Sequence, residues 1–332
     1  MQQVIEHEGG AIVQVKVPLP FPLRWVNGYV VKGKNGLTII DPGLHTPEAE
    51  TCWDDAMRLI GCTYTDIERI VLTHYHPDHY GLAGWMQDRS GGAPVWMSGE
   101  GVRLAQFLWG EGTPMTPALT ALFREHGMDD ELCAQIRVHM DDFVPLVSPQ
   151  PRTSLLEPGD TVRLGDDEYT AILTPGHAAG HLCLYRAEDR RIFCGDHVLP
   201  QISPNVSWMP GVEDNPLDAF LSSLKEVAGL DVGIAYPGHR EPFSRFAERA
   251  LELVDHHQER LALMLSKLSV PCSAFAVCRE VFGERLTVHQ LRFALAETLA
   301  HLVYLERSGQ AVCERSANGI FMFRAAAAIL QP

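Results

Sequence analysis

The sequence has no apolar run long enough to cross a bilayer, no CxxC pair and no surplus of basic charge. Each absence removes a class of protein. Its longest run of small apolar residues, Ala325 to Ala328, is far too short for a membrane span. The opening Met1-Gln-Gln-Val-Ile-Glu-His-Glu lacks a basic stretch followed by an apolar one, so a cytoplasmic location is expected. The eight cysteines, at 52, 62, 133, 183, 194, 272, 278 and 313, follow no disulfide framework and are expected as reduced, small, buried residues. With 27 Lys and Arg against 42 Asp and Glu, the net charge of -15 disfavours nonspecific binding to nucleic acid or an anionic membrane. A small-molecule substrate is the expected partner, with a local basic groove and a homodimer left open. What the chain does have is 15 histidines, several of them in tight clusters.

At 332 residues the chain has room for more than one domain. Ala11 to Val17 reads as a strand. Gly28 to Lys32 and Gly36 to Ile40 read as a hairpin about Lys34-Asn-Gly, a turn in which Asn and Gly supply positive φ. A helix is expected over Thr46 to Ile60, with Thr46 as N-cap, Pro47 at the first helical position and Glu48 and Glu50 in the first turn. A strand over Arg69 to Thr73 leads into a His cluster, and a helix is expected from His79 to Asp88. Residues 99–150 lack strand alternation and read as a helical insertion with segments at Gly101–Gly110, Pro117–His126 and Asp129–His139. Strands resume at Thr161–Leu164, Glu168–Leu173, Leu182–Arg186 and Arg191–Cys194, then a helix at Leu217–Val227 and a strand at Val232–Tyr236. Strands and helices in both halves predict a layered α/β sandwich. From Glu241 a long helix runs to about Leu268, ended by Pro271; helices at Ser273–Phe282 and Thr287–Ser308 and strands at Ala311–Arg315 and Ile320–Phe323 follow. This last part reads as a small winged-helix-like module, giving domains 1–245 and 246–332.

The strongest chemical signal is Thr73-His74-Tyr75-His76-Pro77-Asp78-His79-Tyr80-Gly81. Three imidazoles and a carboxylate this close together are costly to bury without partners, and a divalent cation supplies one. His74 and His76, leaving a strand, are placed to share one cation; Asp78 and His79 aim at a neighbour. Three further segments share the pattern of a strand followed by a sharp turn that carries a ligand-type residue: Thr174-Pro-Gly-His177, Phe193-Cys-Gly-Asp196 and Tyr236-Pro-Gly-His239. Nitrogen and oxygen donors without a thiolate suit Zn²⁺ best, with Mn²⁺ and Fe²⁺ as competitors.

The series HxHxDH, GH, GD, GH resembles the metallo-β-lactamase superfamily, over residues from about 10 to 240. The resemblance implies a four-layer αββα sandwich and a two-metal site. It implies His74, His76 and His177 on one metal, Asp78, His79 and His239 on the other, and Asp196 bridging both. Asp41, in Ile39-Ile-Asp-Pro-Gly, matches the family's first motif and is expected behind the ligands, orienting them. Asp196 in place of a cysteine ligand is unlike the antibiotic-degrading zinc enzymes. Cys194, His181 and His197 are expected to support the site rather than bind metal, and His45, His126, His139, His256 and His257 to lie at the surface or cap helices.

The chemistry implied is hydrolysis of an ester-like bond. Two cations roughly 3.5–4 Å apart lower the pKa of a shared water towards neutrality, and Asp78 and Asp196 are the expected catalytic carboxylates. The leaving group takes its proton from water or Tyr75. A thioester is the expected substrate, because the ligand set is similar to that of glyoxalase II and related thioesterases. Phe107, Leu108, Trp109, Met115, Leu122, Phe123, Met128 and Phe143 of the insertion would line an acyl pocket or pack the insertion's own core. The winged-helix-like extension resembles the lactamase-beta-like endoribonucleases, making cleavage of single-stranded RNA the alternative, with lactone hydrolysis a third. Against RNA stands the lack of a basic or aromatic stripe on Thr287–Ser308, a segment expected to serve packing or dimerisation.

Overall fold

A computed structural model describes residues 3–110, 112 and 115–326. Two mixed sheets face each other. The first runs β1 (Val4–His7), β2 (Ile12–Pro18), β3 (Trp25–Gly33), β4 (Gly36–Ile40), β5 (Ile67–Val71), β6 (Val95–Met97) and β7 (Thr153–Leu155) in that spatial order. It is antiparallel from β1 to β4 and parallel from β4 to β7. The second runs β12 (Ile234–Pro237), β11 (Arg191–Gly195), β10 (Leu182–Arg186), β9 (Asp167–Leu173) and β8 (Thr161–Leu164), with β11 and β12 parallel and the rest antiparallel.

Alternation along the strands explains the layering. Ile12, Tyr29, Val31, Ile40 and Val71 point inward from the first sheet and meet Leu164, Tyr169, Leu184, Phe193 and Tyr236 from the second. The opposite faces of both sheets feed a larger core covered by helices. On the first sheet, α1 (Pro47–Leu59) buries Ala49, Cys52, Trp53, Ala56 and Met57; Thr46 caps it by accepting a hydrogen bond from the Ala49 N–H. On the second lies α7 (Pro216–Val227), with α8 (Phe246–Ser266) packed against it.

The expected helix over His79–Asp88 is two helices, α2 (Pro77–Tyr80) and α3 (Ala83–Arg89). At the break, a Cβ on Gly81 would lie 2.5 Å from the Leu146 carbonyl oxygen and 2.9 Å from the His45 nitrogen, so the chain is pressed against its neighbours there. The insertion holds α4 (Gly99–Trp109), α5 (Met115–Glu125) and α6 (Asp130–Asp141). Strands β1, β6 and β7 were not apparent in the sequence. β6 and β7 have three residues each, too few to display a period.

The C-terminal part continues from α8 through β13 (Cys272–Ser273), α9 (Ala274–Phe282), α10 (Val288–Arg307), β14 (Ala311–Arg315) and β15 (Phe321–Ala325). Its three strands form a small antiparallel sheet. Helix α10 packs against α6, α7, α8 and α9, so it sits between the insertion and the sandwich. Among the described residues no helix is long and apolar enough to cross a membrane.

Candidate metal centre

The expected ligands converge at one end of the sandwich, beyond the carboxyl ends of β5 and β11 and of β12, where open α/β sheets commonly place their sites. Parallel pairing of β11 with β12 sets Gly195 beside Pro237, and the Gly238 N–H donates to the Gly195 carbonyl at 2.7 Å. Asp196 and His239 therefore leave adjacent strands side by side. The two sheets are joined here by the Leu182 N–H, which donates to the Thr73 carbonyl at 2.9 Å. Glycine makes the crowding tolerable. A Cβ on Gly238 would fall 2.3 Å from Asp196 Oδ1, and Gly195, at φ +46°, would put one 2.6 Å from His181 Nε2.

His74, His76 and His177 form one group. His74 Nε2 lies 3.1 Å from His76 Nδ1, which lies 3.0 Å from His177 Nε2. The hydrogen bonds behind the rings explain which nitrogen faces in. The Thr73 hydroxyl donates to Asp41 at 2.6 Å, so its oxygen is left to accept from His74 Nδ1 at 2.9 Å. His177 Nδ1 donates to the Asn205 carbonyl at 2.7 Å. Both rings thus turn a bare Nε2 lone pair towards the same point. A tetrahedral ion with Zn–N bonds of ~2.0–2.1 Å would hold its ligands roughly 3.3 Å apart, near these spacings.

Asp78, His79 and His239 form the second group. His239 Nε2 is 3.3 Å from Asp78 Oδ2, and His79 Nε2 is 3.8 Å from it. Their other ring nitrogens are again anchored, His79 Nδ1 to Asp41 at 2.9 Å and His239 Nδ1 to the Trp25 carbonyl at 3.1 Å. Asp41, buried at φ +48°, therefore serves both groups, and it also accepts from the Thr73 N–H at 2.8 Å. Asp196 stands between the groups: its oxygens are 3.4 Å from His79 Nε2, 3.3 Å from His239 Nε2 and 3.7 Å from His177 Nε2. Asp196 Oδ1 and His79 Nε2 are buried with no hydrogen-bond partner. Buried polar atoms left without partners cost free energy, and a pair of divalent cations would satisfy this donor set.

Charge divides the two groups. Burial holds His74 and His76 well below the ordinary imidazole range, and His177 is lowered for the same reason, so the first group is neutral. In the second, burial opposes charge but Asp196 and Asp78 outweigh it, pushing His79 well up and His239 to about 10. Burial likewise opposes ionisation of Asp78, yet His79 and His239 hold its carboxyl at about 2. Without cations the second group carries protons as its counter-charge; metal binding has to release them.

His181, His197 and Cys194, expected behind the ligands, are all buried. His181 accepts from the Asp196 N–H at 3.3 Å and bonds Thr174 Oγ1 at 2.7 Å, so both its nitrogens are used within the protein. Cys194 faces the Val198 and Tyr236 carbonyls. His126 and His257 are buried rather than superficial, His126 stacked on Phe321 and Phe323 and His257 bonded to His301 at 3.1 Å. Tyr75 is buried, burial raises its phenol well above the ordinary range, and it does not line the cavity.

That cavity, of about 480 Å³, opens over His76, Asp78, His177, Asp196 and His239. From the insertion, Leu108, Trp109 and Phe143 line it, whereas Met115, Leu122, Phe123 and Met128 are buried in the core and Phe107 packs beside it. Another part of the wall is a surprise: His289, Arg292, Phe293 and Glu297 of α10 contribute to it. The C-terminal part, expected from sequence to serve packing or dimerisation, does pack against the insertion and the sandwich through α10, and it is also a wall of the site.

Asn205 links the two. Its side chain donates to Glu297 Oε2 at 2.7 Å, its carbonyl accepts from His177, and Arg260 holds Glu297 Oε1 at 2.6 Å. Sequence reasoning missed Asn205, Arg260, Glu297 and Arg292. A lone acid in the apolar stretch Phe293-Ala-Leu-Ala-Glu-Thr-Leu-Ala was the available signal.

Comparison with known proteins agrees with this geometry. Residues 23–239 match the model of the metallo-beta-lactamase superfamily, and residues 261–326 that of a metallo-beta-lactamase-like C-terminal domain. The chain is 27% identical to the "Probable metallo-hydrolase YqjP" of Bacillus subtilis (strain 168), covering 89% of this chain and 92% of that one. A metallo-beta-lactamase family protein of Thermus thermophilus is 32% identical, with a TM-score of 0.84 over 95% of this chain and 98% of that one. A beta-lactamase domain protein of Burkholderia ambifaria is 29% identical, with a TM-score of 0.85 over 97% and 94%. More distantly, the "Atrochrysone carboxyl ACP thioesterase" of Aspergillus fumigatus is 23% identical over 73% of this chain and 59% of its own length. With the family's model spanning well over half of the chain and its His and Asp groups in place, the chain belongs to the metallo-β-lactamase superfamily and is a metal-dependent hydrolase.

Proposed function

We propose that the chain hydrolyses a thioester of a small acyl group, with two divalent cations, zinc by preference, on His74, His76 and His177 and on Asp78, His79 and His239, shared by Asp196. The observation that carries this reading is the cavity, which holds the His and Asp cluster in its lining and whose apolar walls include Leu108, Trp109 and Phe143. Divalent cations there supply Lewis acidity towards a carbonyl oxygen and a water deprotonated near neutral pH. The chain's own residues do the rest. Asp78 lies beside His239 and orients the attacking water. Trp109, whose Nε1 donates to the Tyr75 carbonyl at 3.1 Å, is fixed as a flat apolar surface for the acyl chain. The aromatic walls keep bulk water from the reacting carbonyl. With Tyr75 outside the cavity, water protonates the leaving thiolate, a good leaving group that needs little help.

The thioesterase name of one distant relative supports this reading, and the apolar enclosure weighs against RNA, which needs a basic groove and open stacking faces. We also propose residues 246–332 as a winged-helix-like unit beside a 1–245 hydrolase unit, on the order helix, strand, two helices, two strands. The test is a hydrolysis screen of the zinc-loaded protein against acyl thioesters, lactones, phosphodiesters and short RNA. Turnover of thioesters well above the others is expected; cleavage of RNA with no thioester turnover would overturn the proposal.

A further inference from the structure

We infer that Arg292 is a substrate-binding residue that takes an oxyanion, a carboxylate or phosphate at the far end of the acyl or leaving chain, so that the enzyme's substrates carry negative charge at a distance from the scissile bond. The inference deepens the reading above and rests on the cavity being the substrate site.

Arg292 lines that cavity from α10, beside Phe143 of the insertion. Its guanidinium stacks 4.0 Å from the Phe293 ring and 5.7 Å from that of Phe143, and Nη1 approaches the Met140 sulfur at 3.4 Å. Among the described residues no carboxylate lies within ion-pair distance of it, and its Nε is buried with no hydrogen-bond partner. The acid nearest along the helix on this wall, Glu297, is already held by Arg260 and Asn205. The neighbouring imidazoles offer no negative charge: His289 and His139 bond each other at 3.2 Å, and burial keeps both rings neutral near pH 7.

A guanidinium stays charged under all ordinary conditions, so it cannot relieve its burial by losing a proton. In a chain of net charge -15, with carboxylates abundant, a cation left unpaired in this cavity is a poor structural choice. Aromatic stacking fixes the plane of the fork and leaves N–H donors for a ligand, the arrangement that suits bidentate capture of a carboxylate or phosphate. An anion placed there shares the cavity with the His and Asp cluster, so the pocket would select a chain whose two ends reach both.

The test is equilibrium binding by calorimetry to the zinc-loaded protein. The probes are paired straight-chain acids of about four to ten carbons, each monoacid beside its α,ω-diacid, together with the matching ω-phosphonoalkanoates. Every probe offers one carboxylate to the metals; only the second group differs. At one chain length a doubly anionic probe should bind roughly tenfold or more tightly than its monoacid. R292M should erase that advantage and leave monoacid binding within about twofold, and R292K should keep part of it. Preference for the phosphonate would assign a phosphate-bearing chain, and preference for the diacid a dicarboxylic one. No advantage at any length in the wild-type protein, which needs no variant to fold, or an advantage that survives R292M, overturns the inference. Because these acids contain no scissile bond, a protein that prefers them yet splits no thioester would refute the thioesterase reading alone.

Discussion

Asp196 carries the greatest burden of any single residue. It sits under a cradle that only glycine at 238 leaves open, its backbone N–H is held by His181, and its two oxygens reach towards three imidazoles belonging to both groups. Asp196→Ala should therefore disturb both cations at once. Elemental analysis of the wild-type protein should give close to two metals per chain, and of Asp196→Ala about one or fewer, with activity lost by orders of magnitude. A wild-type protein that retains at most one tightly bound metal would refute the two-metal assignment. His181→Ala removes a partner of the same carboxylate's backbone but no donor to the cations. It should retain near-normal metal content while losing roughly 1–3 kcal/mol of stability from the unpaired groups it leaves, read by urea unfolding.

At the scale of elements, the insertion and α10 both line the cavity, and they separate side chains that touch substrate from those that merely pack. Trp109→Ala should lower kcat/KM for long acyl chains by roughly 1.5–3 kcal/mol and leave short chains nearly unaffected. Phe123→Ala, at a residue 0% exposed and away from the cavity, should instead cost about 3–5 kcal/mol of stability with no dependence on chain length. Glu297→Gln tests the link through α10. With the Arg260 pair weakened, Asn205 holds its carbonyl on His177 less firmly, and metal affinity should fall roughly 10–100-fold by competition with a chelator, as for other residues that orient ligands. The division of labour between these elements was only partly legible in the sequence. His74, His76, Asp78, His79, His177, Asp196 and His239 sit in short turns after strands, where spacing and chemistry are local and readable. The long strands and capped helices were legible for the same reason: period 2 alternation in β9 and the Thr46 cap of α1 are written within a few residues. Strands β6 and β7 were too short to show a period. Glu297, Arg260 and Asn205 come from three distant segments, and only packing brings them together, so one sequence could not reveal that α10 walls the site.

At the scale of the whole molecule, the cavity exists only where sandwich, insertion and C-terminal part meet, so whatever separates them should abolish binding before the sheets themselves unfold. His126 marks one of these junctions. It follows α5 in the insertion, its ring stacks on Phe321 and Phe323 of β15 at 5.1 and 5.8 Å, and its carbonyl accepts from the Phe275 N–H at 3.1 Å. Burial pushes its pKa down to about 4, and its Nδ1 has no hydrogen-bond partner. The unfolded chain, with an ordinary imidazole near 6.5, binds a proton that the folded junction resists. The stability contributed by a neutral His126 is thus complete above about pH 6.5 and is lost as pH falls through that value towards 4, a total of at most about 3 kcal/mol. His126→Phe keeps the stacked ring and removes the titration. Urea midpoints measured at about pH 7.5 and pH 5 should fall farther apart in the wild-type protein than in this variant, and the variant should keep its substrate binding at the lower pH. Equal separation of the midpoints in both proteins would mean that other buried imidazoles, His257 at about 2 and His301 at about 3 among them, govern the acid sensitivity of this junction instead.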